Sequence, residues 1–346
     1  MYFSSQFIFM KKGVLLVNLG SPDTTKTKDV RKYLDEFLMD ERVIDLPYWK
    51  RYIIIRGIVL NTRPKKTAEA YKKIWLKEGS PLIVFSQRFT EKITKKIDIP
   101  IALGMRYGSM SIQNAIQELV DQNVKEILLV PLYPQDTMSS FETVVEKTKT
   151  VINKSFSDVK LDVFPAFYNK QDYINVMSSH LKEQLHGFDY DHILFSYHGI
   201  PEHHIVKVDP KKLPCNMENG FCSTHTGERI CYRNQCLETT KAIVKKLGIK
   251  EDEYSNAFQS RMLKDPWLEP FTDVVLEKLP KKGKKKLVVV TPSFVSDCLE
   301  TLEEIAIRGK KDFIAFGGEN LKHISCLNDN DNWVDVMVGW IEEWRN

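Results

Sequence analysis

Histidine, carboxylate and thiol side chains gather at three places in this chain. The first is FSYHGIPEHH, Phe195–His204, where His198 follows an apolar run and precedes Gly199 and Pro201. A neutral imidazole where the chain leaves a strand can bind a borderline divalent metal or take a proton near neutral pH. A turn histidine bonded to backbone is the plainer reading, and position alone leaves the two open. His203 and His204 are adjacent and cannot both face one cleft from a helix or strand, so both are expected at the surface.

The second place is SFVSDCLETLEEIAIRG, residues 293–309, again behind an apolar run. A helix starting near Asp297 buries Leu299, Leu302 and Ile305 and sets Asp297, Glu300 and Glu304 along another face. Carboxylates in one column repel one another unless a metal, a proton or a basic side chain lies near. Asp297 is better explained as a helix N-cap, with Glu300 three residues on in the manner of a capping box. Glu300 and Glu304 stay open for chemistry.

The third is CNMENGFCSTHTGERICYRNQC, which holds Cys215, Cys222, Cys231 and Cys236, four of the six cysteines. Such density points to a metal or cluster rather than to disulfides if the thiols are reduced. The spacings lack the close pairs of a zinc ribbon. Four thiolates suit an iron–sulfur centre, although the order matches no familiar ferredoxin run. Unrelated buried thiols are the plainer alternative.

The elements that must position these groups are also legible. Apolar, β-branched runs at 13–20, 101–108, 126–134, 192–199 and 286–294 read as strands of a parallel sheet covered on both faces. Amphipathic segments lie between them, and KDVRKYLDEFLM places Val30, Leu34, Phe37 and Leu38 on one face. Strand–helix alternation of this kind predicts an α/β, doubly wound architecture. It restarts with a helix at about 171–186, so the chain divides into two halves alike in plan, 13–165 and 166–346, behind a flexible tail at 1–12. In such sheets functional residues collect on the loops after the strands, and a cleft between halves is the usual ligand site. Both the histidine and the acidic motif follow strands in that way.

The 346 residues, 42% hydrophobic and 28% charged, suffice for one large or two medium α/β domains without staples. A net charge of +4 and a single basic run at Pro280–Lys286, read as a solvated loop, give no reason to expect nucleic acid. The start MYFSSQFIFMKK has its apolar residues ahead of its charges, the reverse of a secretory signal. The stretch Tyr52–Leu60 is interrupted by Arg56 and is too short to span a bilayer. A soluble, cytoplasmic protein with reduced thiols is expected.

Taken in order, LLVNLGSPD, GSPL at 79–82, GMRYG at 104–108, LYPQ at 132–135, SYHGIP at 196–201, QSR with PWLEP at 259–270, and SDCLETLEEI at 296–305 resemble the ferrochelatases. The resemblance runs over nearly the whole chain from Gly13. It implies insertion of ferrous iron into a porphyrin, with release of two protons, on two Rossmann-like halves that hold the porphyrin in the cleft between them. By position, His198 matches the family's histidine at the porphyrin centre, Glu300 the carboxylate facing it, and Glu304 the next acid on a metal or proton route. His198 and Glu300 are thus also the expected contacts of the Fe²⁺ substrate, and which of them takes protons and which delivers metal is left open. Asn18, Leu19, Arg106, Tyr107, Tyr133, Trp267 and Phe294 would line the pocket, and residues 45–60 resemble the family's apolar active-site lip.

The resemblance also sets the alternatives. Cys298 stands where a number of relatives have histidine. The Cys-rich insert at about 211–236 resembles that of bacterial members holding a [2Fe–2S] cluster on four cysteines, which implies Cys215, Cys222, Cys231 and Cys236 as ligands in a structural or redox-sensing role. Protoporphyrin IX is the leading substrate and protohaem the product, with coproporphyrin III the rival. A cobalt or nickel chelatase and a non-catalytic tetrapyrrole and iron–sulfur redox module stand further off. Partners implied are the porphyrin, ferrous iron and the preceding haem-pathway oxidase, with peripheral membrane contact through the lip left open.

Overall fold

A computed structural model describes residues 11–208, 231–262 and 265–346. Most of the expected tail lies outside these, and Lys12, its last residue, already begins strand β1 (Lys12–Gly20). The apolar runs form β1, β2 (Ile101–Tyr107), β3 (Glu126–Pro131), β5 (His192–His198) and β7 (Lys286–Val290). Val14–Val17 and Ile193–Phe195 have no exposed surface, as strands covered on both faces require. Three further strands were not expected: β4 (Lys160–Val163), β6 (Tyr254–Gln259) and β8 (Asn320–His323). The first and last are four-residue edge strands, and β6 opens with Tyr-Ser-Asn, so none carries the apolar run that marks a buried strand.

The strands form two sheets of identical plan, in the orders β2-β1-β3-β4 and β6-β5-β7-β8. Every pairing is parallel, with Leu16 opposite Leu103 in one sheet and Phe195 opposite Val290 in the other. The expected fold class is therefore observed. Helix α1 (Thr27–Leu38) buries Val30, Tyr33, Leu34 and Leu38, and Phe37 is turned toward the cleft described below.

The lip is helical. Asp45 precedes α2 (Tyr48–Tyr52), which runs through a π-helical turn (Ile53–Val59) into α3 (Leu60–Ile74). Tyr48, Trp49, Ile53 and Ile58 each leave more than half of their surface exposed, which makes an apolar patch. Helices α4 (Pro81–Thr94), α5 (Ile112–Asp121), α6 (Thr143–Ser155) and α7 (Gln171–Leu185) complete the first half and the crossing to the second. Helices α8 (Glu202–Val208), α9 (Tyr232–Leu247), α10 (Thr272–Lys281) and α11 (Lys310–Ala315) belong to the second. The expected C-terminal helix is α12 (Asp331–Arg345). It returns to the first half, where Trp333 stacks on Phe89 of α4 at 5.6 Å and Trp344 Nε1 donates to Asp162 Oδ2 at 2.9 Å. One apolar cluster consequently joins Leu16 and Val130 of the first sheet to Phe195 and Val288 of the second. Among the described residues no helix is long and apolar enough to cross a membrane.

Candidate active site

Open parallel sheets bind ligands where the strand order reverses. In the second sheet that point lies between β5 and β7. His198 ends β5, and Ser293, Phe294 and Glu300 follow β7. In the first sheet it lies between β1, which carries Asn18 and Leu19, and β3, which is followed by Tyr133. The two switch points open on one cleft of about 1110 Å³, partly open to solvent, lined by Asn18, Leu19, Tyr133, His198, Trp267, Phe294 and Glu300 among others.

His198 is held from several sides. Its backbone N–H donates to Ser293 Oγ at 3.3 Å, and its carbonyl accepts from Tyr232 Oη at 2.6 Å. Its Nδ1 lies 2.6 Å from the carbonyl oxygen of Gly199. A carbonyl only accepts, so Nδ1 carries the proton there and Nε2 of the neutral ring keeps its lone pair. Trp267 braces the same turn: it bridges Pro201, and Leu268 N donates to Ile200 O at 3.0 Å.

The acidic segment is a ten-residue π-helix, Glu300–Gly309. Extra residues per turn distinguish it from the expected α-helix, and such turns are frequent at functional sites. Glu300 lines the main cleft and also a second cavity, which it shares with Glu303, Glu304, Lys73 and Arg308. The backbone carbonyl of Glu300 accepts from Gln259 Nε2 at 2.9 Å, and Gln259 Oε1 accepts from Ser196 Oγ at 2.8 Å, so β5, β6 and the π-helix are tied together. Burial raises the Glu304 pKa, helped by the Glu300 charge, against lowering by Ser260, Arg308 and His198. Asp297 is structural, but not as the expected N-cap: among the described residues it accepts from no first-turn N–H, and its Oδ1 accepts from Thr301 Oγ1 at 2.8 Å and its Oδ2 from Asn328 Nδ2 at 2.7 Å, which ties the segment to the loop after β8. Glu303, passed over in the sequence, is neutralised by Lys73 at 2.9 Å and Arg308 at 3.4 Å.

Arg106 and Tyr107 are not brought to the cleft wall. Both turn toward Asp40: Tyr107 Oη donates to its Oδ2 at 2.8 Å, Thr143 Oγ1 does so at 2.6 Å, and the Arg106 guanidinium is paired with the same oxygen. Burial opposes ionisation of Asp40, but Arg106 and the hydrogen bonds from Thr143, the Arg42 backbone and Tyr107 outweigh it and lower its pKa. Phe37, a cleft residue, packs edge to face on Tyr107 at 5.1 Å, so this network stands behind the wall. Asp40 follows α1 with no motif around it, and nothing in the sequence singles it out.

The surface expectation fails for one of the paired histidines. His203 is exposed, whereas His204 is 2% exposed and lines the cleft, because one step along α8 rotates the side chain by about 100°, enough to carry His204 inward while the two rings stay in contact. Burial lowers the His204 pKa to about 4, with His203 adding to the effect. His204 also shares a property with Tyr133 and Trp267. Their buried ring nitrogens, hydroxyl and indole N–H have no hydrogen-bond partner among the described residues, and all three line the cleft. Buried polar atoms are rarely left so, and a ligand with polar atoms would complete them.

Tyr232 and Ser260 also belong to the cleft and were not singled out beforehand, although Ser260 lies in the QSR motif. Cys298 lines it too, its thiol pKa pushed well up by burial and by Glu300. Cys231 and Cys236 are buried at the start of α9, and Cys215 and Cys222 lie outside the described residues.

The ferrochelatase family profile matches residues 11–344. The ferrochelatase of Opitutus terrae is 42% identical over 337 residues, covering 96% of this chain and 97% of the relative. That of Coxiella burnetii (strain Dugway 5J108-111) is 43% identical over 330 residues, covering 95% and 92%. Among solved structures, SirB from Bacillus subtilis with Fe³⁺ superposes with a TM-score of 0.55 at 12% identity, over 96% of this chain and 95% of SirB, a likeness of fold. With a profile match over almost its whole length and relatives above 40% identity along nearly all of both chains, the chain belongs to the ferrochelatase family.

Proposed function

We propose that the protein inserts Fe²⁺ into protoporphyrin IX, forming protohaem and releasing the two inner N–H protons. The observation that carries this reading is that His198 and Glu300 leave the two strands of one switch point and line one cleft, while Glu300 also opens on a second cavity lined by charged residues of both signs. A flat free-base porphyrin shields its nitrogen lone pairs, so insertion requires a distorted ring, a dehydrated ion and an exit for protons. Tyr133, Trp267 and Phe294, with Asn18 and Leu19, grip the ring, and binding energy at its edge drives the distortion. In its neutral form, with Nδ1 donating to Gly199 O, His198 offers the lone pair of Nε2 as base or ligand at the ring centre. Glu300 gives the polar contact between the cavities, and Glu304, whose raised pKa lets it hold a proton more readily than an ordinary carboxylate, suits proton exit. Arg106 and Tyr107 act through Asp40 by supporting the wall that carries Phe37.

The same reading assigns the four thiols. Cys231 caps α9 and Cys236 lies five residues on within it, both out of water, where thiolates can be held by a soft metal centre. Burial, with Cys231 adding to it, pushes the Cys236 pKa well up, and coordination is what would draw off its proton. Together with Cys215 and Cys222 they would hold a [2Fe–2S] cluster, which supplies redox sensing or cross-linking of the segment. Visible absorption with iron and sulfide analysis of anaerobically purified protein tests it, and a colourless protein with one zinc per chain overturns it.

The deciding assay offers the anaerobic protein Fe²⁺ with protoporphyrin IX and, separately, coproporphyrin III. Protohaem is expected to form faster, and His198→Ala to abolish it. Retained turnover in that variant overturns the role given to His198, and faster coprohaem formation overturns the substrate.

A further inference from the structure

One cluster of metal-ligating side chains takes no part in the chemistry above. Asp45 lies at the base of the lip, and His203 and His204 stand in the first turn of α8 on the second half. One ligand atom from each of the three lies within 4.8 Å of the other two. His203 Nε2 is 3.9 Å from Asp45 Oδ2, and the two imidazoles meet edge to face with ring centroids 4.6 Å apart. His204 is 2% exposed, and among the described residues neither of its ring nitrogens has a partner. A neutral imidazole carries one donor and one acceptor, so a whole side chain's hydrogen-bonding capacity is buried and unmet next to two other ligand groups.

We propose that Asp45, His203 and His204 bind a first-row divalent transition ion and so fasten the lip to α8 at the edge of the cleft. Two imidazoles with one carboxylate suit zinc, cobalt, nickel or ferrous iron, whereas calcium and magnesium require oxygen ligands. Tetrahedral bonds of about 2.0–2.2 Å set ligand atoms about 3.4 Å apart, so the present spread closes by roughly an ångström through side-chain rotation. Lys207 Nζ lies 2.8 Å from Asp45 Oδ1. Its charge opposes a cation, but it holds that oxygen and leaves Oδ2 toward His203, as an outer partner orients a ligating carboxylate. The site requires no porphyrin, and it takes one ligand from the lip and two from the helix that follows the His198 turn.

The test titrates Co²⁺ into full-length protein stripped with chelator. Visible d–d bands without sulfur-to-cobalt charge transfer report nitrogen and oxygen ligands and set the site apart from the cysteines. His203→Ala and Asp45→Asn change partly exposed side chains and leave the core intact, and His198→Ala controls for cobalt at the ring centre. Expected are one such Co²⁺ per chain retained in His198→Ala and its affinity lowered at least about tenfold in His203→Ala and in Asp45→Asn. Zn²⁺ is expected to raise the thermal midpoint of the parent and not that of His203→Ala. Indistinguishable titrations of the parent and both site variants overturn the proposal, as does loss of the signal in His198→Ala alone. The haem-forming assay is separate, so failure of the chelatase reading and failure of this site are told apart.

Discussion

Ser260 donates twice to Glu304, from its backbone N–H to Oε1 at 3.0 Å and from its hydroxyl to Oε2 at 2.5 Å. To do so it adopts φ of +67°, a left-handed conformation uncommon for a residue with a side chain. The carboxylate is thus clamped, in the cavity it shares with Glu300, by a residue under backbone strain, the kind of cost that collects at functional sites.

The raised pKa of Glu304 makes a signed prediction. A carboxyl whose folded-state pKa lies above its unfolded value of about 4.3 favours the fold when protonated, and this contribution is lost as pH rises through the raised value. Glu304→Gln stays neutral throughout. Its stability relative to the parent should therefore improve as pH rises from about 4 to 7. Thermal unfolding at several pH values measures this, and a pH-independent difference would contradict it.

Asp40 carries the opposite sign. Its folded pKa is lowered, so its stabilisation is full above about pH 4 and fades as pH falls through the lowered value. Asp40→Asn leaves the Arg106 charge buried without its counter-charge and should cost roughly 3 kcal/mol at neutral pH. Urea unfolding should show that gap closing in acid.

Tyr133 separates apo stability from ligand binding. Its buried hydroxyl is unpartnered among the described residues, and such a group costs about 1–3 kcal/mol. Tyr133→Phe should match or exceed the parent's melting temperature and yet bind porphyrin about two- to tenfold more weakly. Equal porphyrin affinity, read by fluorescence quenching, would remove the hydroxyl from the binding surface.

Gly199 has no room for a side chain. A Cβ there would lie 2.8 Å from the carbonyl oxygen of Gln259 and 3.3 Å from Trp267 Cε3. Gly199→Ala should destabilise by roughly 1–3 kcal/mol. Because Gly199 O holds His198 Nδ1, haem formation should fall further than the folded fraction, as an assay beside a denaturation curve would show.

Much of the frame was legible because buried parallel strands are written as unbroken apolar runs, and β1, β3, β5 and β7 all carry one. The polar β6 and the short edges β4 and β8 carry none, since pairing to a neighbour, not burial, makes them strands. The same holds in the cleft. His198 and Glu300 could be singled out because each follows such a run.

By itself, then, the sequence determined two like sheets, the strand-end loops that bear chemistry and the family to which the ordered motifs point. Side-chain direction was decided only in three dimensions. Arg106 and Tyr107 left the cleft because Asp40, 66 residues from Arg106, gathers them behind its wall. His204 entered it because one step along a short helix rotates the side chain inward from the exposed His203, and the π-helix sets Glu303 with Glu304 at the second cavity. Such choices rest on contacts between residues remote in the chain, and no local pattern records which partner a side chain will meet.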